Sequence, residues 1–323
     1  MTSQDLIIGN SLEVLRTIQE NTVDVCVTSP PYWGLRDYDS EPAVYGGDPQ
    51  CDHQWEGDRC TLCNAWKGQL GLEPSPYEYI QHLCNIFDQV KRVLKPTGAC
   101  WVDIGDTYNG SKAGNTDVYK NDKASTDTFF KPEVKGIGKK SLLQIPSRFA
   151  IEMTDRGWIL RNECIWHKPN VMPQSMKDRF TVDFEKFFFF TKEPNYYFDQ
   201  VKETSRLPDM RSRMEGGRNA RTVWSINTKP SQEDHCAMFP TELIDRPIQA
   251  CCPKGGTVLD PFCGSGTTLE YCRKHDLNCI GIEINPRFKE IIERRAMKNI
   301  GKLEDYIMEE HKENTERTQE ASE

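Results

Sequence analysis

Three stretches of the chain predict an α/β fold built on a mostly parallel sheet. The first runs from Asp5-Leu6-Ile7-Ile8, through Leu12, Leu15 and Ile18 at helical spacing, to Val23-Asp24-Val25-Cys26-Val27. That is strand, helix, strand, and such a unit pairs its strands in parallel. The second repeats the pattern near the other end. Thr257-Val258-Leu259-Asp260 leads into a Gly-containing turn, a helix from Thr267 to His275 and a strand from Asn278 to Ile284. The third is Phe187-Phe188-Phe189-Phe190, apolar at every position, which marks a central strand covered on both faces. With 323 residues, 37% hydrophobic and 28% charged, the chain suits one soluble core carrying insertions. No run of eighteen apolar residues marks a membrane span, and the N-terminal residues lack a signal peptide's basic and apolar regions. A cytosolic location follows, with the thirteen cysteines mostly reduced.

Between the two units, each element has a local reason. Gly9-Asn10-Ser11 turns the first strand into its helix. Val23–Val27 ends in Thr28-Ser29-Pro30-Pro31-Tyr32, where two prolines fix two φ angles and remove two donors. Carbonyls, the Ser29 hydroxyl and an aromatic face remain, a set suited to a flat amine-bearing group such as a nucleobase edge; alone, the stretch is also an ordinary proline turn. Residues 33–75 read as an insertion rich in Gly, Pro and Asp that holds Cys51, His53, Cys60 and Cys63. Cys60-x2-Cys63 is half of a zinc knuckle and Cys51-x-His53 closes a tetrahedron, giving a structural zinc; two reduced cysteine pairs are the other reading. Tyr79, Ile80, Leu83, Ile86, Phe87, Val90 and Leu94 define an amphipathic helix from Pro76 to Leu94. Strands at 99–104 and 158–166 flank a helix from Ile145 to Gly157. Asp106 is either a group behind the Ser29 loop or a turn former. Glu185–Lys192 is the central strand, with Tyr196-Tyr197-Phe198 expected as its antiparallel partner. A helix at 242–251 precedes the second unit, and another from Pro286 to Lys298 follows it.

The net charge of −8 is unevenly spread. Residues 202–229 carry seven Lys/Arg against three acids, residues 107–140 seven Lys against four, and the tail from Gly301 eight acids against three bases. The basic segments can serve phosphates. Arg211, Arg213, Arg218 and Arg221 carry forks that fit guanine edges, although a basic loop gripping phosphates alone has the same composition. Lys139 and Lys140 belong to the lysine-only segment, which is expected to hold phosphates.

Gly264 and Gly266 lack Cβ atoms, so backbone can approach a ligand where a strand meets a helix N-terminus. Glu283 ends the next strand, about where a Rossmann-type acid bonds ribose hydroxyls. A nicotinamide enzyme would carry a third glycine at Leu269.

Asp260-Pro261-Phe262-Cys263-Gly264-Ser265-Gly266-Thr267-Thr268, taken with Ser29-Pro30-Pro31-Tyr32, resembles the signature motifs of amino-group DNA methyltransferases. The catalytic motif comes first, as in the circularly permuted β group. His235-Cys236-Ala237-Met238-Phe239-Pro240 resembles the segment before that group's cofactor loop. The resemblance runs from Asp5 to Lys298. Over Thr28–Tyr38 and Cys63–Pro74 it extends to a subgroup common in phage and prophage genomes, which implies a bacterial or viral source. It implies a doubly wound, mostly parallel seven-stranded sheet of the Rossmann-like methyltransferase type, circularly permuted. The methyltransferase domain would span 1–300, with insertions at 33–75, 107–140 (a mobile basic loop) and 200–234 (target recognition). Residues 301–323 would be an acidic disordered tail.

The resemblance also implies S-adenosylmethionine held by Asn10, Phe239, Pro240, Asp260, Phe262, Cys263, Gly264, Ser265, Gly266, Thr267 and Glu283. The substrate would be double-stranded DNA, with a cognate restriction endonuclease as a further partner. Asn10 stands where the family commonly has an Asp contacting the adenine. Ser29 and the Pro30 carbonyl would accept the hydrogens of an exocyclic amine, with Pro31 shaping the loop and Tyr32 stacking on a flipped base. Ser before Pro-Pro-Tyr favours cytosine N4, and adenine N6 is the alternative. Related enzymes with Asn-Pro-Pro-Tyr methylate protein glutamines, against which Ser29 and the basic 202–229 segment speak. A zinc-bearing DNA-binding protein without catalysis is the non-enzymatic alternative, opposed by the intact cofactor loop.

Overall fold

The computed structural model describes residues 2–38, 40–110, 133–203, 217–229 and 239–297. In chain order its elements begin β1 (Gln4–Ile8), α1 (Ser11–Thr17), β2 (Val23–Thr28), β3 (Ala43–Tyr45), β4 (Trp55–Glu56), β5 (Arg59–Cys60) and β6 (Trp66–Gly68). Then follow α2 (Pro76–Val93), β7 (Leu94–Ile104), α3 (Ile145–Asp155), β8 (Ile159–His167) and β9 (Phe184–Thr191). The remainder is β10 (Lys202–Glu203), β11 (Arg218–Asn219), β12 (Val223–Ser225), α4 (Thr241–Cys251), β13 (Thr257–Asp260), α5 (Thr267–Lys274), β14 (Asn278–Glu283) and α6 (Phe288–Met297).

The central sheet has the order β1-β14-β13-β2-β7-β9-β8-β12. It holds eight strands rather than the expected seven, because Val223–Ser225 adds a parallel edge strand to β8. Every strand points one way except β9, which is antiparallel to both neighbours. The carboxyl ends of β2, β7, β8, β13 and β14 therefore share one rim with the start of β9, where ligands of such sheets bind.

The apolar run in β9 is explained by its two covered faces. Phe188 and Phe190 enter the core beneath α1, α2 and α3, whereas Phe187 and Phe189 enter the core beneath α4, α5 and α6. Both edges of β9 are taken, so the expected pairing with Tyr196-Tyr197-Phe198 does not form. Tyr196 and Phe198 instead pack their rings against Phe189. Asn10 starts α1 as its N-cap, its side-chain oxygen accepting from Leu12 N at 2.9 Å and Glu13 N at 3.3 Å. Ser75 and Pro76 start α2 in the same way.

The insertion after β2 is a separate four-stranded antiparallel sheet, ordered β3-β6-β5-β4. Its strands are two or three residues long, too short for a periodic sequence signal. Among the described residues, no helix is long and apolar enough to cross a membrane.

Candidate active site and cofactor cavity

β2 delivers Ser29 to the rim. Thr28 ends the strand by donating to the buried Asp260 carboxylate at 2.6 Å, which ties the Ser29 loop to the glycine loop. Pro30 is buried, and the Pro31 carbonyl accepts from the Tyr79 hydroxyl at 2.7 Å. Ser29 Oγ donates to Tyr32 Oη at 3.1 Å. Tyr32 Oη in turn lies 3.1 Å from Glu185 Oε2 and 3.3 Å from Asp103 Oδ2. Lys168 pairs with the other Glu185 oxygen and sits 4.1 Å over the Trp166 ring. Tyr32 is half-buried, with one side of its ring closed by Gly105, where a Cβ would come within 2.6 Å.

Asp103 Oδ1 is buried with no hydrogen-bond partner among the described residues. Burial, and then the nearby Glu185 carboxylate, push the Asp103 carboxyl well above the ordinary range. Burial likewise raises the Tyr32 phenol, which keeps its proton. The loop therefore ends in a polar chain of Ser29, Tyr32 and a carboxyl pair. Sequence reasoning missed Asp103, Lys168 and Glu185. Asp103 stands in β7, Glu185 in β9 and Lys168 just after β8, and only the register of these three strands brings them together. Asp106, one of the two readings offered for a residue behind the loop, is a turn former: its Oδ1 accepts from Thr107 N and from Ile145 N at the start of α3.

A cavity opens between this loop, the glycine loop and the root of the insertion. Ser11, Ser29, Pro31, Pro261, Phe262, Gly264, Ser265 and Glu283 line it on the sheet side, and Tyr38, Ser40, Tyr45, Gln69 and Leu70 from the insertion. Asp260 holds the turn, accepting from Thr28, from Thr268 Oγ1 at 2.6 Å and from Phe262 N at 3.2 Å. Burial pushes its carboxyl up to about 6 against those bonds. Glu283 accepts from Gly264 N and Asn285 N, each at 2.9 Å, and burial pushes it up to about 7. Each of its oxygens keeps a lone pair for a hydroxyl donor.

The two glycines differ. A Cβ on Gly264 (φ 51°) would meet nothing within 4 Å, so this is the residue that leaves the cavity open. A Cβ on Gly266 (φ 84°) would lie 2.9 Å from Ile292 of α6, so its role is helix packing and positive φ rather than ligand approach. Cys263 and Thr267 are buried supports, and Ser265 Oγ accepts from Arg295 at 2.7 Å. Asn10 uses its acceptor as the α1 cap and donates to Tyr45 Oη at 3.3 Å, so Ser11 faces the cavity in its place. Phe239 packs on the α4 side of the sheet and Pro240 caps α4; neither lines the cavity.

Cys51, His53, Cys60 and Cys63 come together, their ligand atoms all within 4.8 Å of one another. Of the DNA-contact candidates, Arg211 and Arg213 lie outside the described residues, as do most of 107–140, His235–Met238 and the acidic tail. Arg218 and Arg221 both pair with Glu203, across the β10–β11 ribbon, at 2.9 and 2.8 Å. Lys139 is exposed, and Lys140 pairs with Asp178.

The chain matches the protein family described as DNA methylase over residues 23–294. The chain belongs to the DNA methylase family. Curated relatives agree along nearly the whole length. It is 39% identical over 289 residues to the type II methyltransferase M.Cfr9I of Citrobacter freundii, covering 89% of this chain and 85% of that one. It is 34% identical over 300 residues to the type II methyltransferase M.SmaI of Serratia marcescens, covering 92% of each. Both of these relatives of this DNA methylase are type II methyltransferases. The fold resembles the PvuII DNA methyltransferase, named as cytosine-N4-specific, with a TM-score of 0.59, 19% identity and coverage of 92% and 93%. It also resembles a Thermus thermophilus protein, described as a putative DNA modification methylase in complex with S-adenosyl-L-methionine, with a TM-score of 0.56, 23% identity and coverage of 92% and 95%.

Proposed function

We propose that this DNA methylase transfers a methyl group from S-adenosylmethionine to the exocyclic N4 amine of a cytosine flipped out of double-stranded DNA. The observation that carries the reading is that Ser29 lines the same cavity as Gly264 and Glu283 while its hydroxyl hydrogen is directed away, to Tyr32. S-Adenosylmethionine supplies an electrophilic methyl on a sulfonium. The amine lone pair is delocalised into the ring until its hydrogens are accepted. Ser29, with its hydrogen committed to Tyr32, offers lone pairs for that, and the Ser29-Pro30-Pro31-Tyr32 loop is stiff enough to hold them in place. Glu283 would bind the ribose hydroxyls, while Gly264 and the α5 N-terminus leave room for the donor. The displaced amine proton leaves past Ser29 to solvent, and no covalent base adduct is needed. Adenine N6 is the other exocyclic amine open to this chemistry; Ser rather than Asp before Pro-Pro-Tyr, and the fold shared with a cytosine-N4-specific enzyme, support cytosine.

The thiols and imidazole of Cys51, His53, Cys60 and Cys63 fit one structural zinc. Three soft sulfurs and one nitrogen at this mutual distance make a closed tetrahedral set with no position left for chemistry. Segments 202–229 and 107–140 would read and grip the DNA, in a bacterial or phage-infected cytoplasm beside a cognate endonuclease. Sequencing genomic DNA from cells expressing the protein, with modified bases detected, is expected to show modified cytosine within one short motif. Modified adenine there would overturn the choice of base.

A further inference from the structure

We infer that the metal centre of the insertion supports the outer wall of the cofactor cavity, so that zinc loading sets the affinity for S-adenosylmethionine. This rests on the zinc and methyl-donor readings above and adds a link between the two sites. Three consecutive residues form that link. Tyr45 lines the cavity. Gly46 follows at φ 68°, where a Cβ would lie 3.3 Å from His82 Nε2. Gly47 follows at φ 68°, where a Cβ would lie 2.7 Å from the Cys63 sulfur. The chain thus passes from cavity wall to metal ligand within three residues, with no room for a side chain at the metal end.

A second route runs through Trp66, three residues beyond Cys63. It pairs with Tyr45 across β3 and β6, and its ring stacks on His82, as does that of Tyr45. Tyr45 Oη then accepts from Asn10, the cap of α1, and the next residue, Ser11, donates to the Pro261 carbonyl at 2.6 Å. The ends of the insertion meet the cavity too. Asn285, two residues after Glu283, donates to the Tyr38 carbonyl at 3.0 Å, and Gln69 and Leu70 line the opening. Strands of two or three residues cannot hold this wall alone. Tyr45, Trp66 and Leu70 root the insertion in the core, and bound metal is the further source of order for its outer strands. Without it the β3–β6 register is free, and Tyr45 is no longer held against the cavity.

The test measures zinc content and S-adenosylmethionine affinity on the same samples of the full chain. The samples are native protein, protein stripped with a chelator, stripped protein given zinc again, Cys60→Ser/Cys63→Ser, and Tyr45→Ala. One zinc per native chain is expected. Loss of a held aromatic wall weakens binding by about tenfold or more, so the stripped and double-cysteine forms should bind that much more weakly. Zinc should restore the stripped form. Tyr45→Ala should keep its zinc and still bind weakly, which carries the test even where the cysteine variant fails to fold. Stripped protein or Tyr45→Ala with native affinity would overturn the link and leave the zinc site standing. Native protein without zinc would overturn the metal reading and the link together. Zinc-loaded protein with no measurable affinity for S-adenosylmethionine would overturn the methyl-donor reading and the link.

Discussion

Replacing Tyr32 by phenylalanine removes one oxygen atom and keeps the ring. Any stacking on a flipped base survives, and so does the contact with Gly105. What disappears is the junction between Ser29, Asp103 and Glu185, held at 3.1, 3.3 and 3.1 Å. Ser29 is then free to rotate, and its hydrogen can point at the incoming amine instead of its lone pair. Asp103, already without a partner on Oδ1 among the described residues, loses one on Oδ2, whereas Glu185 keeps Lys168. A hydrogen bond to a charged or buried group contributes about 1.5–3 kcal/mol. If that energy serves to orient Ser29, the chemical step slows roughly 10- to 100-fold. Affinity for the methyl donor should change less than about twofold, because the Tyr32 hydroxyl bonds to Ser29, Asp103 and Glu185 and Tyr32 does not line the donor cavity. Rapid-quench single-turnover methylation of a duplex, beside calorimetry of donor binding, separates the two quantities. A single-turnover rate within a factor of about two of the native protein would refute the role given to the polar chain.

Glu283 predicts a pH effect. With its carboxyl pushed up to about 7, about half the free protein carries that proton at pH 7. Ribose hydroxyls need the carboxylate, so donor affinity should rise as pH passes upward through about 7, with release of about half a proton at pH 7 seen by calorimetry in buffers of different ionisation heat; Glu283→Gln should release none. The sign for stability is opposite. The folded group binds its proton more tightly than the unfolded one, so Glu283's contribution is present at low pH and is lost between the ordinary 4.5 and about 7. Gly264→Ala should weaken donor binding and cost stability through its positive φ alone, about 1–2 kcal/mol, whereas Gly266→Ala adds a clash with Ile292 to the same strain and should lower stability by more, about 2–3 kcal/mol, at nearly unchanged donor affinity. The reverse pattern in calorimetry and thermal unfolding would count against this assignment of the two glycines. Among Arg211→Ala, Arg213→Ala, Arg218→Ala and Arg221→Ala, at least one should broaden the methylated motif, each lost base contact costing about 1–3 kcal/mol. Lys139→Ala with Lys140→Ala should leave the motif unchanged and reduce the salt dependence of DNA binding; sequencing of methylated libraries and salt titrations check both.

Much of the sheet was legible because its signals are local. The strand-helix-strand units at both ends and the four consecutive phenylalanines each state their burial within a few residues. The insertion's sheet was not, since strands as short as Trp55–Glu56 and Arg59–Cys60 carry no period, although the spacing of Cys51, His53, Cys60 and Cys63 marked the place where these four side chains gather. The two ends of the polar chain fared differently. Ser29 and Tyr32 stand in one loop, but Asp103 and Glu185 lie 71 and 153 residues from Tyr32, and no local pattern distinguishes them from other strand acids. The same limit explains Asn10 and Gly266. Their residue types suit a ligand, while their partners, the α1 backbone and Ile292, depend on packing that the sequence does not spell out.

The most direct test of the central claim is nucleoside mass spectrometry of duplex DNA incubated with purified protein and S-adenosylmethionine labelled in the methyl group, beside Ser29→Ala. The account predicts label in N4-methylcytosine with the native protein, and a large loss of label with Ser29→Ala at nearly unchanged donor affinity. Label in N6-methyladenine, or in a ring carbon of cytosine, or equal label from both proteins, would contradict it.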